Sequence, residues 1–369
     1  MKPKILFVLH LPPPVHGAAV VGKSIHDSQL INQRFDCRYI NLATARSLQD
    51  IGKGGVKKLW KFKKLLQNVR HTVNEWKPDL VYVTPNAAGG AFYKDFVVVE
   101  ILKKMGCRVV VHYHNKGVRT RQDRKLDDAL YRRFFKDLKV ILLSDALYDD
   151  VRKYVSREDV WICPNGIPEI TTSHIPEKSP QSVPHILFLS NLLIEKGVWV
   201  LLDALQLLKE QGKSFVCDFV GGETSEIDAT LFAEEVERRG LNRQVIYHGR
   251  KYGEEKVAYF QQADLFVFPT YYSNECFPLV LLEAMSYSLP CIATDEGGIR
   301  DIVVNGENGF LVPKYDASAL AQHIRQLIED HNLCKEMGEN GHVKFHKEFT
   351  LSAFENRMAT CLQQCLTKK

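Results

Sequence analysis

Apolar residues in this chain fall into short continuous runs, separated by stretches of helical period. The runs occupy 4–10, 37–41, 80–84, 108–112, 140–143, 159–163, 185–189, 216–220, 245–248, 263–270, 291–294 and 308–312. Their length and their Val, Ile, Leu and Phe content predict buried strands. Helical spacing predicts helices over 20–30, 53–73, 92–104, 145–154, up to 211, from 279 to the stop at Pro290, and over 318–338 and 351–365. Strand alternating with helix indicates an α/β protein with parallel sheets. The polar Ser/Thr/Pro-rich stretch 169–184 divides the pattern as a domain linker would.

One helix stands apart. Residues 53–73 carry Lys53, Lys57, Lys58, Lys61, Lys63, Lys64 and Arg70 and no acid. Val56, Leu59, Phe62, Leu66, Val69 and Val73 recur at three and four residues, and Trp60 borders the basic side. A basic amphipathic helix with an aromatic predicts attachment to an anionic lipid surface. An ordinary solvated helix packed on its own domain is the competing reading. No recognition motif accompanies the charge, so nucleic acid is not an expected partner.

Composition changes little. With 369 residues, two domains are expected, and 45% hydrophobic with 25% charged residues is ordinary for a globular protein. Net charge is +5. No run of eighteen apolar residues predicts a membrane span. The short apolar run behind the basic N-terminus reads as a first strand rather than a signal peptide. Nine scattered cysteines without a C-x-x-C pair suit reduced thiols in a cytoplasmic protein and no zinc site.

The chemistry concentrates at strand ends. Glu275 and Glu283 are eight residues apart across a loop-to-helix start, about 12 Å along the axis if all eight steps were helical. Between them lie the N–H groups of a helix N-terminus, which attract anions. Hydroxyls, then phosphates, then hydroxyls is the layout of a nucleotide-sugar. Lys196 stands at a helix start, where a cation opposes the dipole unless a phosphate joins it. His112 and His114 share one face at the end of a strand, with no acid beside them to complete a metal site. Arg119, Arg121, Arg124 and Lys125 follow. The loop at 12–19 lacks the dinucleotide fingerprint, but Gly17 and Ala18 leave room for a ligand close to the backbone.

These elements, in this order, resemble the retaining glycosyltransferase family four, of GT-B fold. Glu275 to Glu283 matches its E-x7-E motif, and the strand 263–269 before it and Gly297-Gly298 after it match the motif's setting. Further matches are the turn Cys163-Pro164-Asn165-Gly166-Ile167, the lysine of Glu195-Lys196-Gly197, and the strand Asn308-Gly309-Phe310-Leu311-Val312. The resemblance covers nearly the whole chain. It implies two Rossmann-like domains facing across a cleft: 1–168 for the acceptor, 169–184 as linker, 185–349 for the nucleotide-sugar, and 350–369 as a helix returning to the first domain.

It further implies that Glu275 contacts the donor sugar, Glu283 the ribose and Lys196 the diphosphate. His114 would lie near the transferred sugar. Gly17, Ala18, Asn191, Gly222, Gly249, Arg250, Phe277, Pro278 and Leu279 would line the donor. Acceptor or membrane contacts would come from His16, Lys57, Lys58, Trp60, Lys61, Lys64, Arg119 and Arg121. One departure is Ser190-Asn191, where the family often has Gly-Arg. A second cationic phosphate contact is lost there or supplied by Arg250.

The expected reaction is retaining sugar transfer from a UDP-sugar, favoured over a GDP-sugar, with no metal or other cofactor. Asp127-Asp128 and Asp149-Asp150 are adjacent pairs, not an Asp-x-Asp metal pair. The expected acceptor is a lipid-linked glycan of surface polysaccharide or glycoprotein-glycan assembly, met at the inner face of the membrane. The competing classes are a catalytically inactive nucleotide-sugar-binding protein and a GT-B nucleotide-sugar epimerase.

Overall fold

A computed structural model describes residues 1–13, 16–43, 56–169 and 183–367, with backbone only for 56–58. In chain order it contains β1 (Lys4–Leu9), α1 (Gly17–Asp27), α2 (Gln29–Arg34), β2 (Asp36–Asn41), α3 (Val56–Trp76), β3 (Leu80–Val83), α4 (Gly89–Lys104), β4 (Val109–His112), α5 (Lys125–Phe135), β5 (Lys139–Leu142), α6 (Tyr148–Val151) and β6 (Val160–Ile162). Then come β7 (His185–Leu189), α7 (Val198–Glu210), β8 (Val216–Val220), α8 (Ala229–Arg238), β9 (Val245–Tyr247), α9 (Gly253–Gln262), β10 (Leu265–Phe268) and α10 (Leu279–Ser286). The chain closes with β11 (Cys291–Thr294), α11 (Ile299–Ile302), β12 (Gly309–Val312), α12 (Ala317–Glu329), α13 (His331–Glu348) and α14 (Leu351–Thr367). It divides into two units, Met1–Gly166 with Leu351–Lys369, and Ile167–Thr350.

The first unit has a parallel sheet of order β2-β1-β3-β4-β5-β6. β3 and β4 are buried along their whole length, as expected of strands made mostly of valine and leucine, with Tyr82 and His112 buried among them. On one side α14 completes the core. Phe354, Met358, Leu362 and Cys365 form a buried stripe at helical spacing and join Phe7, Leu9, Ile25 and Phe35. The end of α14 is held by Arg108, which donates to the Leu366 carbonyl. A cation on the orphan carbonyls of a helix end offsets the negative pole there.

In α3 the buried stripe is Leu65, Val69, Val73 and Trp76. Of the apolar face read from the sequence, Val69 and Val73 belong to this stripe. Leu59 is 70% exposed and Trp60 64% exposed. Only the later turns of the helix pack on the unit.

The second unit has a parallel sheet of order β12-β11-β10-β7-β8-β9. The chain builds outward from β7 through β8 to β9, then returns to the other side of β7 with β10. The order therefore reverses between β7 and β10. In open parallel sheets, ligands bind outside the carboxyl ends of the strands at such a reversal. The first unit reverses likewise between β1 and β3.

Other differences from the sequence expectation have local causes. The single helix expected over 318–338 is two, because the Asp330 carboxylate accepts the Leu333 N–H at 2.9 Å and starts a new helix. The helix expected over 145–154 is a 3-10 turn followed by α6. α8 and α9 carry few apolar anchors, burying Phe232 and Val236 in one and Phe260 in the other, so periodicity did not mark them. All nine cysteines are free. Among the described residues no helix is long and apolar enough to cross a membrane.

Candidate active site

In the second unit the loops after β7 and β10, which flank the reversal, bring two predicted residues together. Lys196 Nζ lies 2.5 Å from Glu275 Oε2, and both side chains are largely buried, 15% and 11% exposed. Lys196 does not open α7. It closes a 3-10 turn, Ile194–Lys196, one residue before Gly197 and the helix. Its ammonium also sits 4.6 Å from the Tyr272 ring and 5.2 Å from that of Phe268, over their electron-rich faces.

Glu275 is fixed by its backbone. Its N–H donates to the Tyr272 carbonyl at 2.8 Å, and the Gly298 N–H donates to the Cys276 carbonyl at 2.6 Å. At Gly297, φ is +58°, and a Cβ would strike the Glu275 carbonyl oxygen. Gly297 must therefore be glycine for this turn to clamp the loop that carries the carboxylate. α10 starts only at Leu279, after the buried Phe277 and Pro278, and no side chain caps it. The Leu281 N–H donates to the Pro278 carbonyl at 3.2 Å, and the two N–H groups before it are left for an acceptor from outside the helix. Glu283, one turn in, pairs through Oε1 with Lys256 Nζ at 2.6 Å. Lys256 was missed by sequence reasoning. It lies on α9, where no motif marks it.

Strands β8 and β9 contribute the glycine-ended edge. A Cβ at Gly222 would collide with the Arg250 guanidinium, so glycine is needed for Arg250 to lie flat there. The Asn191 Oδ1 accepts the Gly222 N–H at 3.3 Å, which ties the loop after β7 to that same glycine. Gly249 hands its carbonyl to the Gly221 N–H at 2.9 Å. Behind Arg250 the buried Asp218 holds two histidines, His248 Nε2 at 2.7 Å and His185 Nδ1 at 3.2 Å. This anchor, also missed from sequence, pins the segment that carries Gly249 and Arg250.

In the first unit four histidines gather at the carboxyl edge. The His10 ring lies 5.6 Å from that of His16, and His112 4.2 Å from His114. His112 Nδ1 is 2.6 Å from the Tyr82 hydroxyl, and His10 Nδ1 is 3.2 Å from the Thr84 hydroxyl. Both ring nitrogens of His114 are shut from solvent and have no hydrogen-bond partner among the described residues. An orphaned imidazole at a strand end is costly unless it serves a ligand. Burial pushes His114 down to about 3, helped by the charge of His16. Burial, then Lys94, His16 and His114, push His10 down to about 3. Burial also lowers His16 and His112. A neutral cluster is therefore built in. Gly17 opens α1, where a Cβ would meet no described residue within 4 Å, with Ala18 next to it on a first turn that no side chain caps.

The neutral histidines make stability depend on pH. Each has a folded value below its unfolded one, so the unfolded chain takes up the proton first. The contribution is complete above pH ~6.5 and is lost as pH falls toward ~3. At pH ~5.5 the loss is about 1–2 kcal/mol for each of His10 and His114. Thermal melts should fall between neutral and mildly acidic buffer, and His114→Gln should flatten that fall. A His114→Gln slope equal to the parent's would contradict the burial of a neutral His114.

The basic residues divide. Lys57 and Lys58 side chains lie outside the described residues. Trp60 stands exposed with Lys64 Nζ 5.7 Å from its ring, and Lys61 is half-buried. Arg119 is exposed: its guanidinium lies 3.8 Å from Asp149 Oδ2, and its backbone N–H donates to Asp150 Oδ1 at 2.9 Å. Arg121 is turned toward the buried Asp127 at 3.6 Å, so it belongs to the fold more than to an open basic surface. Among the described residues no group of three or more His, Cys, Asp or Glu could hold a metal ion.

Residues 169–344 match the model of the family described as Glycosyl transferases group 1. That segment is a group 1 glycosyltransferase domain. The chain is 31% identical over 262 residues to D-rhamnosyltransferase WbpZ of Pseudomonas aeruginosa, an alignment covering 69% of this chain and 66% of that one. It is 27% identical to O-antigen chain mannosyltransferase C of Escherichia coli, covering 69% and 70%. The homologues are thus glycosyltransferases, including those of O-antigen and capsular polysaccharide synthesis. Among solved structures, Anabaena HepE in complex with UDP superposes with a TM-score of 0.74 at 20% identity, covering 99% of this chain and 100% of that one. The GT-B fold expected from the sequence is the fold of this chain. The group 1 domain contains both the Lys196–Glu275 pair and the Lys256–Glu283 pair.

Proposed function

We propose that the protein is a retaining glycosyltransferase that moves a sugar from a nucleotide-sugar to a lipid-linked glycan, in cell-surface polysaccharide assembly, without a metal ion. The observation that carries this is the buried Lys196–Glu275 pair at the strand reversal of a group 1 domain. A diphosphate at the uncapped start of α10 offers Lys196 a competing anion. Once Lys196 turns to it, the Glu275 carboxylate is released to accept hydrogen bonds from sugar hydroxyls. Glu283 and Lys256, farther along, suit ribose hydroxyls. Arg250 on Gly222 replaces the cation that Asn191 does not provide.

In the reaction, the bond from the anomeric carbon to the diphosphate oxygen breaks. Negative charge grows on the leaving group, where Lys196 and the α10 N–H groups stabilise it. The acceptor oxygen bonds to the same face of the carbon, and its proton passes to the departing phosphate oxygen. His114, neutral and without a partner of its own, would hydrogen-bond the transferred sugar. A UDP-sugar is favoured because UDP is the ligand named for HepE. A GDP-sugar remains the second candidate donor.

Exposed Leu59 and Trp60 among lysines suit an anionic membrane surface, which would bring a lipid-linked acceptor to the enzyme. The inner face of the membrane is where nucleotide-sugars would meet it.

A melting screen with UDP, GDP and their sugar derivatives tests the donor assignment. The right diphosphate, at about a hundred times its dissociation constant, should add about 2.7 kcal/mol and raise the melting temperature by several degrees. No shift with any nucleotide would remove the assignment. Flotation with phosphatidylglycerol vesicles tests the surface. Binding at low salt should be lost at high salt and in Leu59→Asp. Equal flotation of Leu59→Asp and the parent would exclude this helix as the contact.

A further inference from the structure

Two loops at the carboxyl edge of the second unit bring together two tyrosines to which no motif assigns a role. Tyr271 follows β10 and Tyr315 follows β12. Their ring centroids are 4.2 Å apart, with planes tilted by 44°. Tyr271 is half-buried, whereas Tyr315 is 67% exposed. An exposed ring adds little to a core, so the packing of the unit does not account for it.

The backbone at Tyr315 has φ of +63°. Left-handed backbone suits glycine or asparagine, and an aromatic residue there is strained. Strain of this kind persists where the surroundings over-determine it and is concentrated at ligand contacts. Both neighbours of Tyr315 are anchored. Lys314 is ion-paired with the buried Glu296, and Asp316 accepts the Ala319 N–H at 2.9 Å as the cap of α12. The turn therefore presents the ring rigidly.

The pair also adjoins the proposed reaction centre. The Tyr271 N–H donates to the Glu195 carbonyl at 2.8 Å, and the next ring, Tyr272, is the one beneath Lys196. Flat aromatic faces attract the C–H face of a pyranose, and a phenol adds a hydroxyl partner at the rim. Two-torsion aromatic side chains do this at a low cost in ordering.

We propose that Tyr271 and Tyr315 form a stacking platform for a pyranose ring of the glycan acceptor. This rests on the reading of the protein as a glycan-extending transferase. The sugar would bind weakly alone, with its orientation set by the tilted pair.

Saturation-transfer NMR on the full chain, with α-mannotriose and maltotriose as probes, tests this. Saturation should reach the C–H protons of one sugar face in at least one probe. Tyr315→Ala and Tyr315→Asn should cut it by about threefold or more, and Tyr315→Phe should keep it. Asparagine tolerates the left-handed turn, so a folded Tyr315→Asn separates ring loss from misfolding. Calorimetry with UDP and GDP, and the KM for hydrolysis of UDP-glucose and GDP-mannose, should stay within about twofold of the parent.

Equal saturation in the parent and Tyr315→Asn would overturn the platform, as would no saturation with either probe. A raised hydrolysis KM would assign the ring to the donor sugar instead, and a lost nucleotide affinity would assign it to the base. Failure of the function proposal reads differently. The parent would then bind no nucleotide, while a Tyr315-dependent sugar signal would still support the platform.

Discussion

Glu275→Ala should abolish sugar transfer while leaving the nucleotide diphosphate bound. The carboxylate is held in place by a clamped loop, with its backbone carbonyl against Gly297 and the next carbonyl bonded to Gly298. A group positioned this rigidly works by orientation. Its loss lets the sugar sample unproductive poses, which costs about 10²–10³-fold in kcat. Diphosphate binding rests on Lys196 and the α10 N–H groups, and these remain. Calorimetry with the nucleoside diphosphate should therefore match the parent within about threefold. Glu275→Gln keeps the volume and separates charge from shape. It should lose nearly as much turnover, since the sugar hydroxyls need an acceptor on both oxygens. Near-parental turnover in either variant would remove Glu275 from the mechanism.

The fold was legible because fully buried parallel strands cannot hide. β3, β4, β10 and β11 are buried at every position, and apolar at all of them but His112 and Thr294. Helices were legible in proportion to what they bury. α14 shows four buried positions in register and was readable, whereas α9 buries only Phe260 and was not. The Asp330 break was invisible to periodicity because α12 and α13 continue the apolar spacing. Only the capping chemistry of one aspartate divides them.

The candidate site divides along the same line. Glu275, Glu283 and Lys196 could be found because they sit at fixed distances from strand ends. The partners that decide their state come from elsewhere in sequence. Lys256 reaches Glu283 from 27 residues away, and Asp218 gathers His185 from β7 and His248 from just past β9. No spacing rule records such pairings, since they depend on which strands become neighbours. The histidine cluster was half legible. His112 and His114 stood together in sequence, but His10 joins them only because β1 lies one strand from β4, across β3. Leu59 divides the helix differently. Its period places it on one face with Val69 and Val73, yet those two are buried and Leu59 is exposed, so spacing alone did not separate the packed turns of α3 from the open one.

Lys196→Ala should be the more damaging change for donor use, and it should fail in a different way from Glu275→Ala. The ammonium carries a positive charge in a largely dry position between Phe268, Tyr272 and Glu275. A charged hydrogen bond to phosphate contributes about 1.5–3 kcal/mol, so affinity for the diphosphate should fall by about 10–100-fold. Negative charge increases on the leaving group as the anomeric bond breaks, so the loss in kcat/KM should be larger, about 10³-fold or more. The nucleoside without phosphates should bind as before. Lys196→Arg keeps the charge but places a wider planar group where two rings bound the space, and it should recover only part of the activity. The double variant Lys196→Ala/Glu275→Ala closes a cycle. Each single change strands one member of a buried pair, so the double should melt higher than the sum of the single losses requires. Additive melting losses would mean that the pair is not formed in solution. Unchanged diphosphate affinity in Lys196→Ala would mean that another cation, such as Arg250 over Gly222, holds the phosphates.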